Sequence, residues 1–403
     1  MYKLASRNIR RQRSHTTMTL AALIFGVAGL MLAAGWVNDI FVQLGEALIH
    51  SQSGHMQVYR NGYYERGSRS PGKYLIDGPD ALKRQASVVE GVQDVMARLN
   101  FSGLLSNGRS DMPVIGEGVE ADKEAALGTS VSIVEGRQMT GNDAFGVLIG
   151  RGLAQALQLR PGDHATLLAS TLDGALNTVD LEIVGVFQSF SNEYDARAVK
   201  IALPAAQELL GTRGVNALVI TLRETPDTQR VASLLTRDLA PHDLEVKTWV
   251  QLNDFYEKTV RLYARQLGVL QVIVFAMVVL TIANTVNMSV FERIGEFGTM
   301  RALGNRGSHV FRLILTENLL LGLAGSVLGV LIGLLLAAVI STIGIPMPPP
   351  PNANLAYTAR IQMSREDVLV AFVVGLLAPI LAALFPARRV SRTSLVEALR
   401  SNI

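Results

Sequence analysis

Four blocks of the sequence, Thr17–Trp36, Leu267–Met288, Val310–Ile343 and Val368–Phe385, are almost continuously apolar. Each holds roughly 18 or more residues, about the length a helix needs to cross ~30 Å of hydrocarbon. Lipid offers the backbone no hydrogen-bond partners, so blocks of this kind span as helices. No soluble core needs four of them. The fold predicted is an α-helical membrane protein with four transmembrane helices, one before and three after a large mixed α+β extracytoplasmic domain. The composition agrees, with 49% hydrophobic residues and a mean hydropathy of +0.29 over 403 residues.

Basic residues orient the spans. Lys3, Arg7, Arg10, Arg11 and Arg13 precede the first block; Arg293, Arg301 and Arg306 lie between the second and third. Arg388, Arg389, Arg392 and Arg400 follow the last. The positive-inside rule places all three groups in the cytoplasm, with both termini. The predicted organisation is a cytoplasmic interfacial basic helix at 1–16 and spans at 17–37, 266–289, 309–343 and 367–386. The extracytoplasmic domain occupies 38–265, a cytoplasmic helix 290–308, an outer proline-rich loop 344–366 and a cytoplasmic tail 387–403. "MLAAG" offers small residues for a signal peptidase, but the first apolar run exceeds the usual core of about 7–15 residues and reads as a retained span. The absence of cysteine fits an outer domain without disulfides. The net charge of +3 comes largely from the cytoplasmic ends and marks no nucleic-acid surface.

The outer segment is long enough for one or two folded domains. "HATLLAS" and "VDLEIVGVF" read as strands joined through a turn at Asp173-Gly174, and "VNALVITL" as another. Amphipathic helices are expected in "GPDALKRQASVVE", "LIGRGLAQALQL", "LPAAQELLG" and "DTQRVASLLTRDLA", giving two subdomains. "FYEKTVRLYARQLGVL" continues without a breaker into the second block, which predicts one helix rising out of the bilayer. "PMPPPPN", Pro346 to Asn352, favours a polyproline II spacer.

Catalytic chemistry is missing from the sequence. "GSRSPGKY", Gly67 to Tyr74, nearly spells a phosphate-binding loop, yet Tyr74 takes the place of the magnesium-ligating hydroxyl and no apolar strand precedes it. His50 and His55 match no zinc spacing and read as solvated loop residues. No G-x-S-x-G elbow occurs. The expectation is a non-enzymatic chain with no catalytic residue, no metal and no cofactor of its own.

Polar and small residues inside the spans carry more information. Gly325, Gly329 and Gly333 recur every four residues, with Gly322 one turn earlier, and form a face for close helix packing or dimerisation. Glu317 and Asn318 lie about two turns inside the third span, where a carboxylate must face protein, water or a base. A bond from Glu317 to the neighbouring cytoplasmic segment is the expectation, and interhelical hydrogen bonds are expected for Asn284 and Asn287.

Between the second and third spans stands "ERIGEFGTMRALG", Glu292 to Gly304. Phe291, Ile294 and Phe297 recur at three-residue spacing and Gly304 supplies a stop, so a short surface helix is predicted. Such a helix either lies on the headgroups or plugs into a cytoplasmic partner.

"FERIGEFGTMRALGNRGSHVFRLILTENLLLGLAGSVLGVLIG" resembles the FtsX, MacB and LolC/LolE permeases, membrane subunits of ABC transporters of the mechanotransmission type. In that family E-R-x-x-E-[IF]-G-x-x-[KR]-[AS]-[IL]-G is the coupling helix seated on the ATPase. The resemblance assigns that role here to Glu292, Arg293, Glu296, Phe297, Arg301 and Gly304. Pro386, Ala387, Glu397, Ala398, Leu399 and Arg400 match the family's closing motif, and "LASRNIRRQRSHTTMTLAALIFGVA" resembles its opening. "LIGRGLAQALQLRPGDHATLLAS" and the run that follows it are similar to the lipoprotein-transport LolC/LolE-like branch.

What the resemblance implies is an inner-membrane permease with a periplasmic domain, working as a dimer with a second copy or a paralogue among membrane lipids. A separate cytoplasmic ATPase would bind ATP and magnesium, and the cargo would be a lipoprotein or another amphiphile. In the LolC branch a hook-like hairpin recruits a periplasmic lipoprotein carrier; the matching connection here is about Ser170 to Thr178. MacB-like efflux of peptides or drugs and FtsX-like control of a cell-wall hydrolase are the alternatives. Fusion to an ATPase would favour the former, and a smaller outer domain the latter.

Overall fold

The computed structural model describes residues 2–67, 71–127, 131–348 and 357–392. The chain divides into two compact units: Met1–Val42, Val260–Pro346 and Thr358–Ile403 form one, Gln43–Thr259 and Met347–Tyr357 the other.

The first unit is helical. Its elements are α1 (Tyr2–Arg11), α2 (Arg13–Leu48), α3 (Asp254–Glu292), α4 (Ile294–Ala302), α5 (Gly307–Ile343) and α6 (Arg365–Arg392). α2, α3, α5 and α6 are each long and apolar enough to cross a membrane. The apolar blocks set where these helices lie but not where they end. α2 and α3 outrun their blocks because no proline or glycine pair interrupts the polar extensions. The expected continuity of "FYEKTVRLYARQLGVL" with the second span holds in α3. One core joins all six helices, with Ala5, Leu23, Ile282, Phe297, Leu313 and Ala382 among its buried members.

α5 and α6 approach closely because small residues line the seam. A Cβ added at Gly322 would lie 3.0 Å from the Leu376 carbonyl, and one at Gly375 2.6 Å from Ser326 Oγ. Pro379 sits inside α6 at this crossing, where its ring packs towards Gly322. A proline removes one backbone donor and bends a helix, a defect tolerated here where a neighbour covers it.

The second unit is built on one ten-stranded sheet. Its strands are β1 (Met56–Arg60), β2 (Val92–Ser106), β3 (Asp111–Val119), β4 (Ser132–Gly136), β5 (Gly146–Gly150), β6 (His164–Ser170), β7 (Leu176–Gln188), β8 (Ala198–Ala202), β9 (Ala217–Leu222) and β10 (Leu244–Thr248). The order β10-β1-β9-β2 is antiparallel, with helices Pro79–Ser87 and Thr228–Leu239 in the crossovers. That is the split βαβ arrangement of ferredoxin-like domains. Val231, Ala232, Leu235 and Leu239 recur on the inner face of the second helix and close one core with Met56, Val95 and Ile220.

The strands between β2 and β9 form a different object. β2 pairs β3, β3 pairs β8, β8 pairs β5, β5 pairs β7, β7 pairs β6, and β6 returns to the end of β2. This closed ring of strands carries its own core around Leu105, Ile149, Leu167, Ile183 and Ile201. The two expected subdomains are therefore two cores of a single unit, sharing the fifteen-residue β2.

"HATLLAS" and "VDLEIVGVF" pair as β6 and β7 around Thr171–Ala175, with Gly174 at φ +84. "LIGRGLAQALQL" is helical only from Arg151; its first residues complete the fully buried β5. The polyproline stretch and the near-phosphate loop fall partly outside the described residues, and Glu397 to Arg400 wholly outside.

Candidate coupling site

α3 ends at Glu292 because Arg293 leaves helical geometry, at φ −105 and ψ 10, before α4 begins. α4 closes at Leu303, and Gly304 adopts φ +97, a left-handed conformation that a side chain strains. The segment thus forms an elbow between two spanning helices. Its inside is charged. Arg293 is 5% exposed and donates from Nη1 to Glu317 Oε2 at 2.8 Å and from Nη2 to Oε1 at 3.2 Å. Asn8 of α1 donates to the same carboxylate at 2.6 Å. The guanidinium also lies 4.9 Å over the ring of Phe297, itself 2% exposed. Two forked donors on one carboxylate make a charge-assisted, directional brace.

α1 is bound along the same elbow. Arg11 pairs with Glu296, His15 Nε2 lies 3.0 Å from Glu292 Oε2, and Ser289 donates to Gln12 Oε1 at 2.8 Å. Asn318 donates to the Ile314 carbonyl at 2.9 Å, its Oδ1 has no partner among the described residues, and it lines a small cavity of about 40 Å³. That volume accommodates water.

The expected bond between Glu317 and the short charged segment is present, and its partner is Arg293. Of the residues to which the resemblance assigns coupling, Arg293 and Phe297 are buried inside the chain. Glu292 and Glu296 remain exposed but carry intrachain partners, and Arg301 is half-buried. Leu303 is the outlier, 81% exposed at the tip beside Gly304. Sequence reading passed over Asn8, Gln12, His15 and Leu303. Only the basic amphipathic pattern of α1 signalled that it packs on something.

The glycine face packs closely against neighbouring helices, as expected. A Cβ at Gly325 would lie 2.7 Å from Leu23, one at Gly329 2.8 Å from Val27, and one at Gly333 3.1 Å from Met31. The chain's own α2 fills this face, so the close packing is made within the chain. Asn284 is exposed and Asn287 half-buried; neither makes the expected interhelical hydrogen bond within the described chain.

The β-rich unit holds a second polar cluster that no local pattern announced. Arg98 of β2 and Lys200 of β8 bind Glu124 at 2.8 and 2.5 Å, and Lys200 lies 3.7 Å from Glu117 of β3. Tyr194 donates to Glu117 at 2.9 Å, and Arg98 also donates to the Gln52 carbonyl. Burial alone would raise the Glu124 carboxyl, but Arg98 and Lys200 outweigh it and hold it at about 2. Burial, then Glu117, pushes the Tyr194 phenol upward. With charges balanced two against two, this cluster cross-ties strands; it exposes no nucleophile.

His55 is not solvated, contrary to expectation, while His50 is half-buried. His55 is 2% exposed, accepts from the Leu222 N–H at 3.1 Å and bonds Thr225 at 3.1 Å, with its ring 5.8 Å from that of His50. Burial, followed by the nearby His50, lowers it to about 4, so it is neutral at physiological pH. Among the described residues no group of three or more candidate ligands is placed to hold a metal ion. The geometry supports bracing and contact.

Comparison with known proteins matches both halves of the chain. Residues 16–238 match the MacB-like periplasmic core domain family, and residues 268–395 the FtsX-like permease C-terminal family. An uncharacterized ABC transporter permease of Methanocaldococcus jannaschii is 26% identical over 293 residues, covering 69% of this chain and 68% of the relative. The lipoprotein-releasing system transmembrane protein LolE of Haemophilus influenzae is 23% identical over 333 residues, covering 77% and 78%. The macrolide export ATP-binding/permease protein MacB of Bartonella henselae is 23% identical over 418 residues, covering 98% of this chain and 58% of that protein. With these matches laid over four spanning helices, a braced elbow and an inserted β-rich unit, the chain belongs to the MacB/FtsX-like family of ABC transporter permeases.

Proposed function

We propose that this permease couples ATP hydrolysis by a separate cytoplasmic ATPase to movement of a periplasmic β-rich unit, and that its cargo is a lipoprotein or similar amphiphile of the inner membrane. The observation that supports coupling is the elbow. A buried bidentate pair holds α4 against α3 and α5, so a push at the exposed Leu303 tip reaches two spanning helices without first deforming the turn. The basic residues at this end argue that it faces the cytoplasm, where ATP is. A second permease, identical or paralogous, completes the transporter. The lipoprotein reading draws on the likeness to LolE and on Glu317, whose carboxylate is committed to Arg293 and Asn8 and so is not a free proton carrier. The likeness to MacB over 98% of this chain favours macrolide-type efflux as the second reading.

The test reconstitutes the chain with the ATPase that co-purifies from native membranes. Expected are ATP-dependent release of an acylated lipoprotein from proteoliposomes and its loss in Leu303→Glu. That substitution sets a charge where an apolar contact is expected, and at ~1.4 kcal/mol or more it should cut ATPase capture about tenfold or further. ATP-driven macrolide movement without lipoprotein release would shift the reading to efflux. Full ATPase capture by Leu303→Glu would remove the elbow tip from the contact.

A further inference from the structure

α1 carries more positive charge than its contacts use. Its inward side is committed: Ala5 is buried in the bundle core, Asn8 holds Glu317, and Gln12 holds Ser289. Arg7, Arg10, Arg11 and Arg13 are all exposed. Among the described residues only Arg11 of these four pairs with a carboxylate, that of Glu296. No acidic residue precedes Asp39, so the segment cannot neutralise itself. Arg7 stands three and four positions from Arg10 and Arg11, the spacing at which like charges repel on a helix. At ten residues α1 is too short to hold alone against that repulsion. An anionic partner outside the chain would relieve it.

The surface that the arginines join points to the partner. Backbone bonds from Gln12 to Asn8 and from Thr16 to Gln12, at 3.1 and 3.0 Å, carry the helical turn across the junction with α2. Arg7, Arg10, Ser14, Met18 and Phe25 therefore recur on one side, all exposed, away from buried Ala5, Thr19 and Leu23. Met18 and Phe25 belong to a spanning helix, at 63% and 79% exposed, and acyl chains cover such positions. The headgroups of those lipids are what the arginines meet next along the same face. A guanidinium forks readily onto phosphate.

We infer that anionic phospholipid of the cytoplasmic leaflet binds this face at Arg7, Arg10 and Arg13 and steadies α1 as a clasp on the elbow. α1 reaches the elbow through Arg11, Gln12 and His15, so whatever steadies the helix steadies those contacts. The clasp rests on the reading of the elbow as the coupling site.

The full-length chain in neutral detergent is titrated with phosphatidylglycerol or phosphatidylcholine, and bound lipid is counted by native mass spectrometry. Phosphatidylglycerol should bind more tightly, each arginine contributing about fivefold. Arg7→Gln, Arg10→Gln and Arg13→Gln together should cost about a hundredfold, while lysine at all three positions keeps most of the preference. No preference for phosphatidylglycerol overturns the inference. So does an equal loss in Arg306→Gln, Arg388→Gln and Arg392→Gln, which would reduce the site to net charge. An acidic face of the ATPase as occupant reads differently: the triple glutamine variant loses ATPase capture at unchanged phosphatidylglycerol affinity, which also overturns it. In nanodiscs, phosphatidylglycerol should slow hydrogen–deuterium exchange at residues 2–16 and 289–304, and the triple glutamine variant should lose that protection. Exchange at 289–304 that ignores phosphatidylglycerol overturns the clasp. Failure of the coupling reading is distinct, as full ATPase capture by Leu303→Glu with lipid binding and protection intact.

Discussion

Arg293 and Glu317 stand 24 positions apart in sequence and meet as a buried fork, with Asn8 as a third arm. The sequence made Glu317 conspicuous because a carboxylate inside an apolar block needs a partner. It did not say which of several nearby arginines would turn inward, since the helix break at Arg293 depends on how α4 packs. A buried pair contributes little over a well-fitted apolar pair, but removing one member leaves an uncompensated charge at about 3–5 kcal/mol. Glu317→Ala should therefore lower the thermal stability of the purified protein sharply, and Arg293→Met with Glu317→Leu should recover much of that loss. Fluorescence-detected size exclusion after graded heating measures both. If the double variant is as unstable as Glu317→Ala, something beyond charge compensation holds the elbow.

At the scale of elements, the four spans were legible because length and apolarity alone determine a membrane helix. The glycine register was legible too. Its partner was not, since a small-residue face looks the same whether another chain or the chain's own α2 will cover it. The packing makes a discriminating prediction. Gly329→Leu puts a Cβ 2.8 Å from that of Val27 and adds more atoms behind it, so α2 must move away. Overpacking of this kind costs typically about 1–3 kcal/mol or more. The variant should express poorly and melt earlier, while the protein that does fold keeps the wild-type dimer fraction in nanodiscs. Gly268→Ala, on the open side of α3 with nothing within 4 Å, should be neutral or slightly stabilising. A selective loss of dimer in Gly329→Leu at unchanged melting temperature would return the glycines to an intermolecular role.

For the molecule as a whole, local alternation revealed most strands but not how they close. β6 meets β2 through pairs such as Gly103 with Ala169, a contact across more than sixty residues that no hairpin signal announces. The ferredoxin-like half escaped notice for the same reason, because the ring of strands is inserted between β2 and β9. Orientation, by contrast, rests on the basic residues. Arg7, Arg10, Arg11, Arg13, Arg306, Arg388 and Arg392 are exposed and belong to the segments around the elbow, and positive charge next to spans is retained in the cytoplasm. The exposed side chains then provide clean reporters in a chain without native cysteine. Val88→Cys and Leu176→Cys lie on the β-rich unit at positions 85% and 72% exposed, and Leu303→Cys at the elbow tip at one 81% exposed. A membrane-impermeant maleimide should label the first two in intact spheroplasts and the third only after the membrane is opened. Exposure is matched across the three sites, so a difference in labelling reports sidedness and not accessibility within the fold. Labelling of Leu303→Cys from outside would put the elbow on the side without ATP, and the coupling proposal would fall with the orientation.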